Sequence, residues 1–118
     1  MSKKILVIDD DPTLIKVVQG FLKSNGFDVI VATNGQEGMS LVQQAKPDLI
    51  VLDVLMPKMN GYAFIIELKK VIEGKMPPVI VLTVKEEMKD LFGVEGVKDY
   101  IPKPFKPETL LQAIKKYV

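Results

Sequence analysis

Asp48-Leu49-Ile50-Val51-Leu52-Asp53-Val54-Leu55-Met56-Pro57 is a run of apolar residues that opens on one carboxylate, is interrupted by a second and is closed by a proline. Four consecutive aliphatic side chains, Leu49 to Leu52, show no alternation between faces. That is the pattern of a strand buried on both sides in the middle of a parallel sheet. Asp53 falls where the strand should end. In open α/β sheets ligands and chemistry gather at the carboxyl ends of the strands, so an acid delivered there is either a candidate reactive group or only a cap for the following loop. The stretch by itself does not choose between the two.

Outward from it, the same pattern recurs. Lys4-Ile5-Leu6-Val7-Ile8-Asp9 is another aliphatic strand running into acid, followed by Asp10, Asp11 and Pro12. Pro12 suits the first position of a helix and makes Asp11 its N-cap, with Leu14, Val17, Val18, Phe21 and Leu22 at helical spacing and Asn25-Gly26 as the stop. Residues 27 to 32 read as a strand. Asn34 with Glu37 opens a second helix that Lys46-Pro47 ends. After the central strand, Asn60-Gly61 precedes an amphipathic helix carrying Phe64, Ile65, Leu68 and Ile72. Val79 to Thr83 form a fourth strand, Glu86 to Phe92 a short charged helix, Val97 to Ile101 a fifth strand, and Glu108 to Tyr117 a last helix. Five strands alternating with five helices over short connections predict an α/β fold. It is a single doubly wound, five-stranded parallel sheet of flavodoxin-like order 2-1-3-4-5, one domain spanning residues 1–118. In that order the first and third strands are neighbours, and Asp9, Asp10 and Asp53 converge on one crevice.

Composition narrows the chemistry. The chain has 118 residues, no cysteine and no histidine. Disulfides, thiolate nucleophiles, imidazole metal ligands and a Ser-His-Asp triad are all excluded. Sixteen basic against fifteen acidic residues leave a net charge of +1, no footprint for a nucleic-acid binder. No apolar run is long enough to span a membrane, and the N-terminus shows no signal-peptide core, so the expected location is cytoplasmic. The lysines near the C-terminus, Lys103, Lys106, Lys115 and Lys116, read first as a solvated face.

Three carboxylates a few ångströms apart repel by roughly 3 kcal/mol per pair at an effective dielectric of about 20. Lys103, after the fifth strand, supplies one cation, which cannot balance three acids. A divalent metal is therefore expected, and with oxygen ligands only, Mg²⁺ is its natural identity. A carboxylate, a Mg²⁺, a lysine and the Thr83 hydroxyl are the equipment for accepting a phosphoryl group without a histidine base. Each residue alone has an ordinary reading: Asp11 as a cap, Thr83 as a strand end, Lys103 as a surface charge. Their coincidence at the ends of four strands is the signal.

Ile8-Asp9-Asp10, Leu52-Asp53 with Met56-Pro57 and Asn60-Gly61, Thr83, Tyr100 and Lys103-Pro104-Phe105 together resemble the receiver domain of two-component response regulators, in the stand-alone chemotaxis-receiver style. The resemblance covers essentially the whole chain. It implies that Asp53 is the phospho-acceptor, served by the phosphohistidine of a histidine kinase or phosphotransferase. It also implies that Asp10 binds Mg²⁺ directly, Asp9 mainly through water, and Leu55 through its backbone carbonyl. Lys103 would pair with the phosphoryl group. Thr83 would move toward that group and Tyr100 would turn inward, reshaping the face built by the Glu86–Phe92 helix, the fifth strand and the last helix for an unknown downstream protein. The first helix, placed beside the site by Asp10 to Pro12, is expected to form part of the kinase-docking surface. Such a domain is a switch that catalyses only its own phosphorylation and dephosphorylation.

Two residues depart from the family's usual pattern. Val84 follows Thr83 where a small residue is common, and Leu55 is apolar two residues after the acceptor, where it cannot hold an attacking water. A long-lived phosphoaspartate is the expected result, shortened several-fold by Val84→Ala or Leu55→Asn when decay of the phosphorylated protein is followed by mass. Fast decay indifferent to both changes would refute it. The segment from Thr83 to Lys103 is also short for the family, so an abbreviated helix and an atypical output face are expected. The rival readings are a phosphorylation-independent interaction module of the same fold and a Mg²⁺-dependent aspartate-nucleophile phosphatase. The latter would want a second Asp at position 55.

Overall fold

A computed structural model of the chain describes residues 3–53, 61–72, 76–83 and 97–118. β3 (Leu49–Asp53) is buried along its whole length, as the unbroken aliphatic run requires. It pairs in parallel with β1 (Lys4–Ile8) on one side and β4 (Val79–Thr83) on the other. β2 (Asp28–Ala32) and β5 (Val97–Pro102) are the edges, giving the order β2-β1-β3-β4-β5. The expected sheet order is the observed one.

Alternation along the strands sorts the core into two layers. Ile5, Val7, Leu49, Val51, Ile80 and Leu82 face Val18 and Leu22 of α1 (Pro12–Ser24) and Leu110 and Ile114 of α4 (Pro107–Tyr117). Leu6, Ile8, Ile50, Leu52, Val79 and Val81 face Val42 of α2 (Gly35–Ala45) and Phe64, Ile65 and Leu68 of α3 (Gly61–Val71). Each such side chain, fully withdrawn from water, contributes about 1.5–3 kcal/mol. The described residues hold four helices. The expected fifth, Glu86 to Phe92, lies outside the described residues.

The helix ends follow the expected chemistry. Asp11 caps α1, its carboxylate accepting from the N–H groups of Thr13 and Leu14, with Pro12 in the first turn. Asn34 accepts from the N–H of Glu37, whose own carboxylate accepts from the N–H of Thr33. Gly26, at φ +90°, takes the chain out of α1, a conformation that costs glycine nothing. α2 ends on a left-handed Lys46 (φ 51°) before Pro47, and Lys4 reaches across to donate to the carbonyl of Ala45 at 2.9 Å. The N-caps at Asp11 and Asn34 fix where the loops at the carboxyl edge of the sheet end, while Gly26 and Lys46 turn the chain back at its amino edge.

Candidate functional site

Ile8 and Leu52 are register partners in β1 and β3, so the residues that follow them, Asp9 and Asp53, stand side by side at the carboxyl edge of the sheet. Parallel pairing thus brings together two acids 44 residues apart in sequence. One carboxylate oxygen each from Asp9, Asp10 and Asp53 lies within 4.8 Å of the others. Asp9 is fully buried and Asp53 only 6% exposed, whereas Asp10 faces solvent.

Asp9 is held from three directions. Its N–H donates to the carbonyl of Ala32 at 3.1 Å. Its Oδ1 accepts from the N–H of Asp11 at 2.9 Å, and its Oδ2 accepts from Lys103 Nζ at 3.1 Å. The same ammonium lies 3.4 Å from Asp53 Oδ1. Lys103 stands between β5 and α4 and precedes Pro104 through a cis peptide bond. Burial opposes its charge, but the hydrogen bond it donates to Asp9 and the fields of Asp53 and Asp9 outweigh that. The ammonium is held above the ordinary lysine value. Lys103 is a fixed cation at any physiological pH.

Among the described residues one lysine faces the three carboxylates, which it does not neutralise, and the donors that converge there are hard oxygens. Such a set suits a small divalent cation held by carboxylates and waters and gives nothing to a soft metal. The three oxygens converge to within 4.8 Å of one another. Two ligands about 2.1 Å from one ion stand at most about 4.2 Å apart, so the cluster would hold such an ion by a small closing of the side chains or with one acid acting through water.

The other expected site residues fall as follows. Thr83 ends β4 opposite Pro102 of β5, at the same edge of the sheet as Asp53, whose register partner is Leu82. Tyr100 is half-buried against the core layer on the α2 and α3 side, and is paired with Val81. Leu55 and Val84 lie outside the described residues. Two features were not read from the sequence. Asp11 is more than a cap, because its N–H orients Asp9; the Asp-x-Asp spacing is that of an Asx turn and could have signalled it. Leu14, Val17, Val18, Pro104, Phe105 and Pro107 line an open apolar groove of about 410 Å³ next to Lys103.

A family model described as the response regulator receiver domain matches residues 5–115. The chain belongs to that family. It is a two-component receiver domain with an acidic pocket of the phosphorylation-site type, a signalling switch and not a conventional enzyme. The alkaline phosphatase synthesis transcriptional regulatory protein PhoP of Bacillus subtilis is 40% identical over 117 residues, covering 98% of this chain and 48% of that protein. Protein PilH of Pseudomonas aeruginosa is 38% identical over 113 residues, covering 94% of this chain and 93% of its own. The chain therefore spans about half the length of the first relative and nearly all of the second. The chemotaxis protein CheY4 of Vibrio cholerae superposes with a TM-score of 0.92 at 31% identity, over 100% of both chains. No helix among the described residues is long and apolar enough to cross a membrane.

Proposed function

We propose that this receiver accepts a phosphoryl group on Asp53 in a cytoplasmic two-component phosphorelay. The observation that carries the reading is Lys103 bridging Asp9 and Asp53 at 3.1 and 3.4 Å within a cluster of three carboxylates. That arrangement strands excess negative charge beside a buried carboxylate until a cation joins it. A carboxylate oxygen of Asp53 attacks phosphorus, the O–P bond forms as the P–N bond of a donor phosphohistidine breaks, and the departing imidazole is left neutral after taking a proton from solvent. Lys103, already a cation pointed at Asp53, stabilises the transferred oxygens. Asp10, the exposed member of the cluster, would ligate Mg²⁺ directly. Asp9, with both oxygens engaged by Asp11 and Lys103, suits a role through water, and Leu55 would contribute its backbone carbonyl. When bound, Mg²⁺ supplies charge neutralisation at the phosphoryl oxygens.

The donor is a histidine kinase or phosphotransferase protein, and the apolar groove of Leu14, Val17 and Phe105 beside Lys103 offers it a surface. The phosphoryl group adds charge and acceptor oxygens that recruit Thr83 and Lys103, and a population shift through Tyr100 alters the β5 and α4 face for a downstream protein. No nucleic acid or membrane contact is assigned to this domain. Intact mass after incubation with Mg²⁺ and a small-molecule phosphodonor is expected to show one phosphoryl adduct, absent with chelator. No adduct on a folded protein would favour the phosphorylation-independent module.

A further inference from the structure

Gly38 lies in the second turn of α2, buried under the end of β1. A methyl group on its Cα would stand 2.5 Å from Ile8 Cδ1 and 3.1 Å from Ile8 Cγ1, with Phe64 Cε1 at 3.2 Å. The ethyl arm of Ile8 therefore fills the space that a side chain at position 38 would take. Glycine inside a helix is unfavourable relative to alanine, so helix propensity gives no reason for it here, whereas the notch does. Ile8 and Phe64 are both fully buried, and a close-packed interior passes a displacement on.

Ile8 is the last residue of β1 and the register partner of Leu52, so Asp9 is one peptide bond beyond this contact and Asp53 one beyond the strand residue paired with Ile8. Asp9 has little freedom to absorb a shift: its N–H is tied to Ala32, and its two carboxylate oxygens to Asp11 and Lys103. We propose that the Ile8–Gly38 contact positions the acidic pocket. Through the missing side chain at 38, α2 sets the height of Asp9 and Asp10 against Asp53, and with it the affinity for Mg²⁺. Gly38 and Ile8 are positioning residues, and the inference rests on the reading of the pocket as a Mg²⁺ site.

The test is a titration with Mg²⁺ alone, followed by calorimetry or amide shifts, well below the unfolding temperature of every variant. Gly38→Ala is expected to weaken Mg²⁺ binding about tenfold, as removal of ligand-orienting contacts generally does. Ile8→Val removes the clashing Cδ1, so Ile8→Val/Gly38→Ala is expected to bind within about twofold of the wild type. Wild-type affinity in Gly38→Ala, whatever its stability, would overturn the inference while leaving the Mg²⁺ site intact. Should Gly38→Ala not fold, the comparison moves to the Ile8→Val background. There the added Gly38→Ala is expected to tighten binding by refilling the notch, and equal affinities would overturn the inference. No Mg²⁺ binding by the wild type would overturn the Mg²⁺ reading and this inference together.

Discussion

Asp53→Asn is expected to abolish the phosphoryl adduct and, in the same protein, to raise the stability of the metal-free fold. The loss follows from chemistry, since an amide is no nucleophile toward phosphorus and Asp9 is fully buried with both oxygens occupied. The gain follows from the balance of charges. At an effective dielectric of about 20, the attraction of Lys103 for Asp53 across 3.4 Å is worth about 5 kcal/mol. Repulsion from Asp9, with their ligand oxygens within 4.8 Å, is about 3.5 kcal/mol, and the exposed Asp10 adds a screened share. These nearly cancel. What decides the sign is the desolvation of a carboxylate that is 6% exposed, which costs several kcal/mol and which the isosteric amide avoids in large part. A net gain of about 1–2 kcal/mol in chelator is the expected outcome, read by urea denaturation beside the mass assay. Mg²⁺ should stabilise the variant less than the wild type, because one of the three clustered carboxylates is gone. An adduct on Asp53→Asn equal to that on the wild type would remove Asp53 from the centre of the reaction.

That charge balance also marks where sequence and structure parted. β3 was legible because four unbroken aliphatic residues admit few places in a sheet, and they are buried throughout. The caps at Asp11 and Asn34 were legible because a side-chain oxygen meets a backbone N–H only a few residues away. The meeting of Asp9 and Asp53 needed the sheet order as well, and right-handed crossovers over short connections make that order nearly unavoidable. Contacts without a local pattern were not legible. Nothing near Gly38 in the sequence names Ile8 as its neighbour 30 positions away. Lys4 likewise gives no sign that its ammonium closes the end of α2. Lys103 was read as the cation of the site, yet its more intimate partner is Asp9, at 3.1 Å, and not Asp53 at 3.4 Å. The sequence shows which residues share an edge of the sheet but not which pair is closer.

Lys103→Met should expose how much of the fold depends on that pairing. The substitution keeps a long flexible side chain and removes the ammonium that lies 3.1 Å from Asp9 and 3.4 Å from Asp53. Breaking a buried ion pair from one side costs about 3–5 kcal/mol, because the surviving charge is left uncompensated. The lysine is 19% exposed and Asp10 is at the surface, so water screens part of this and about 2–4 kcal/mol is expected in chelator. Mg²⁺ replaces the lost charge. Its stabilising effect should therefore be larger in the variant than in the wild type, narrowing the gap as the ion is added. The pH dependence has a definite sign. The folded-state pKa of Lys103 lies above its ordinary value of 10.5, so its contribution is complete below that value and disappears only as the pH rises through the raised one. The difference between wild type and Lys103→Met that this lysine carries should stay level from neutral pH until the ordinary lysine range and fall only beyond it. Phosphoryl transfer to Asp53 should drop by about 10²-fold or more, the usual consequence of removing a fixed charge from a developing oxyanion. A variant as stable as the wild type in chelator would mean that Asp9 and Asp53 are accommodated without their lysine, and that the cluster has no need of a metal to offset it.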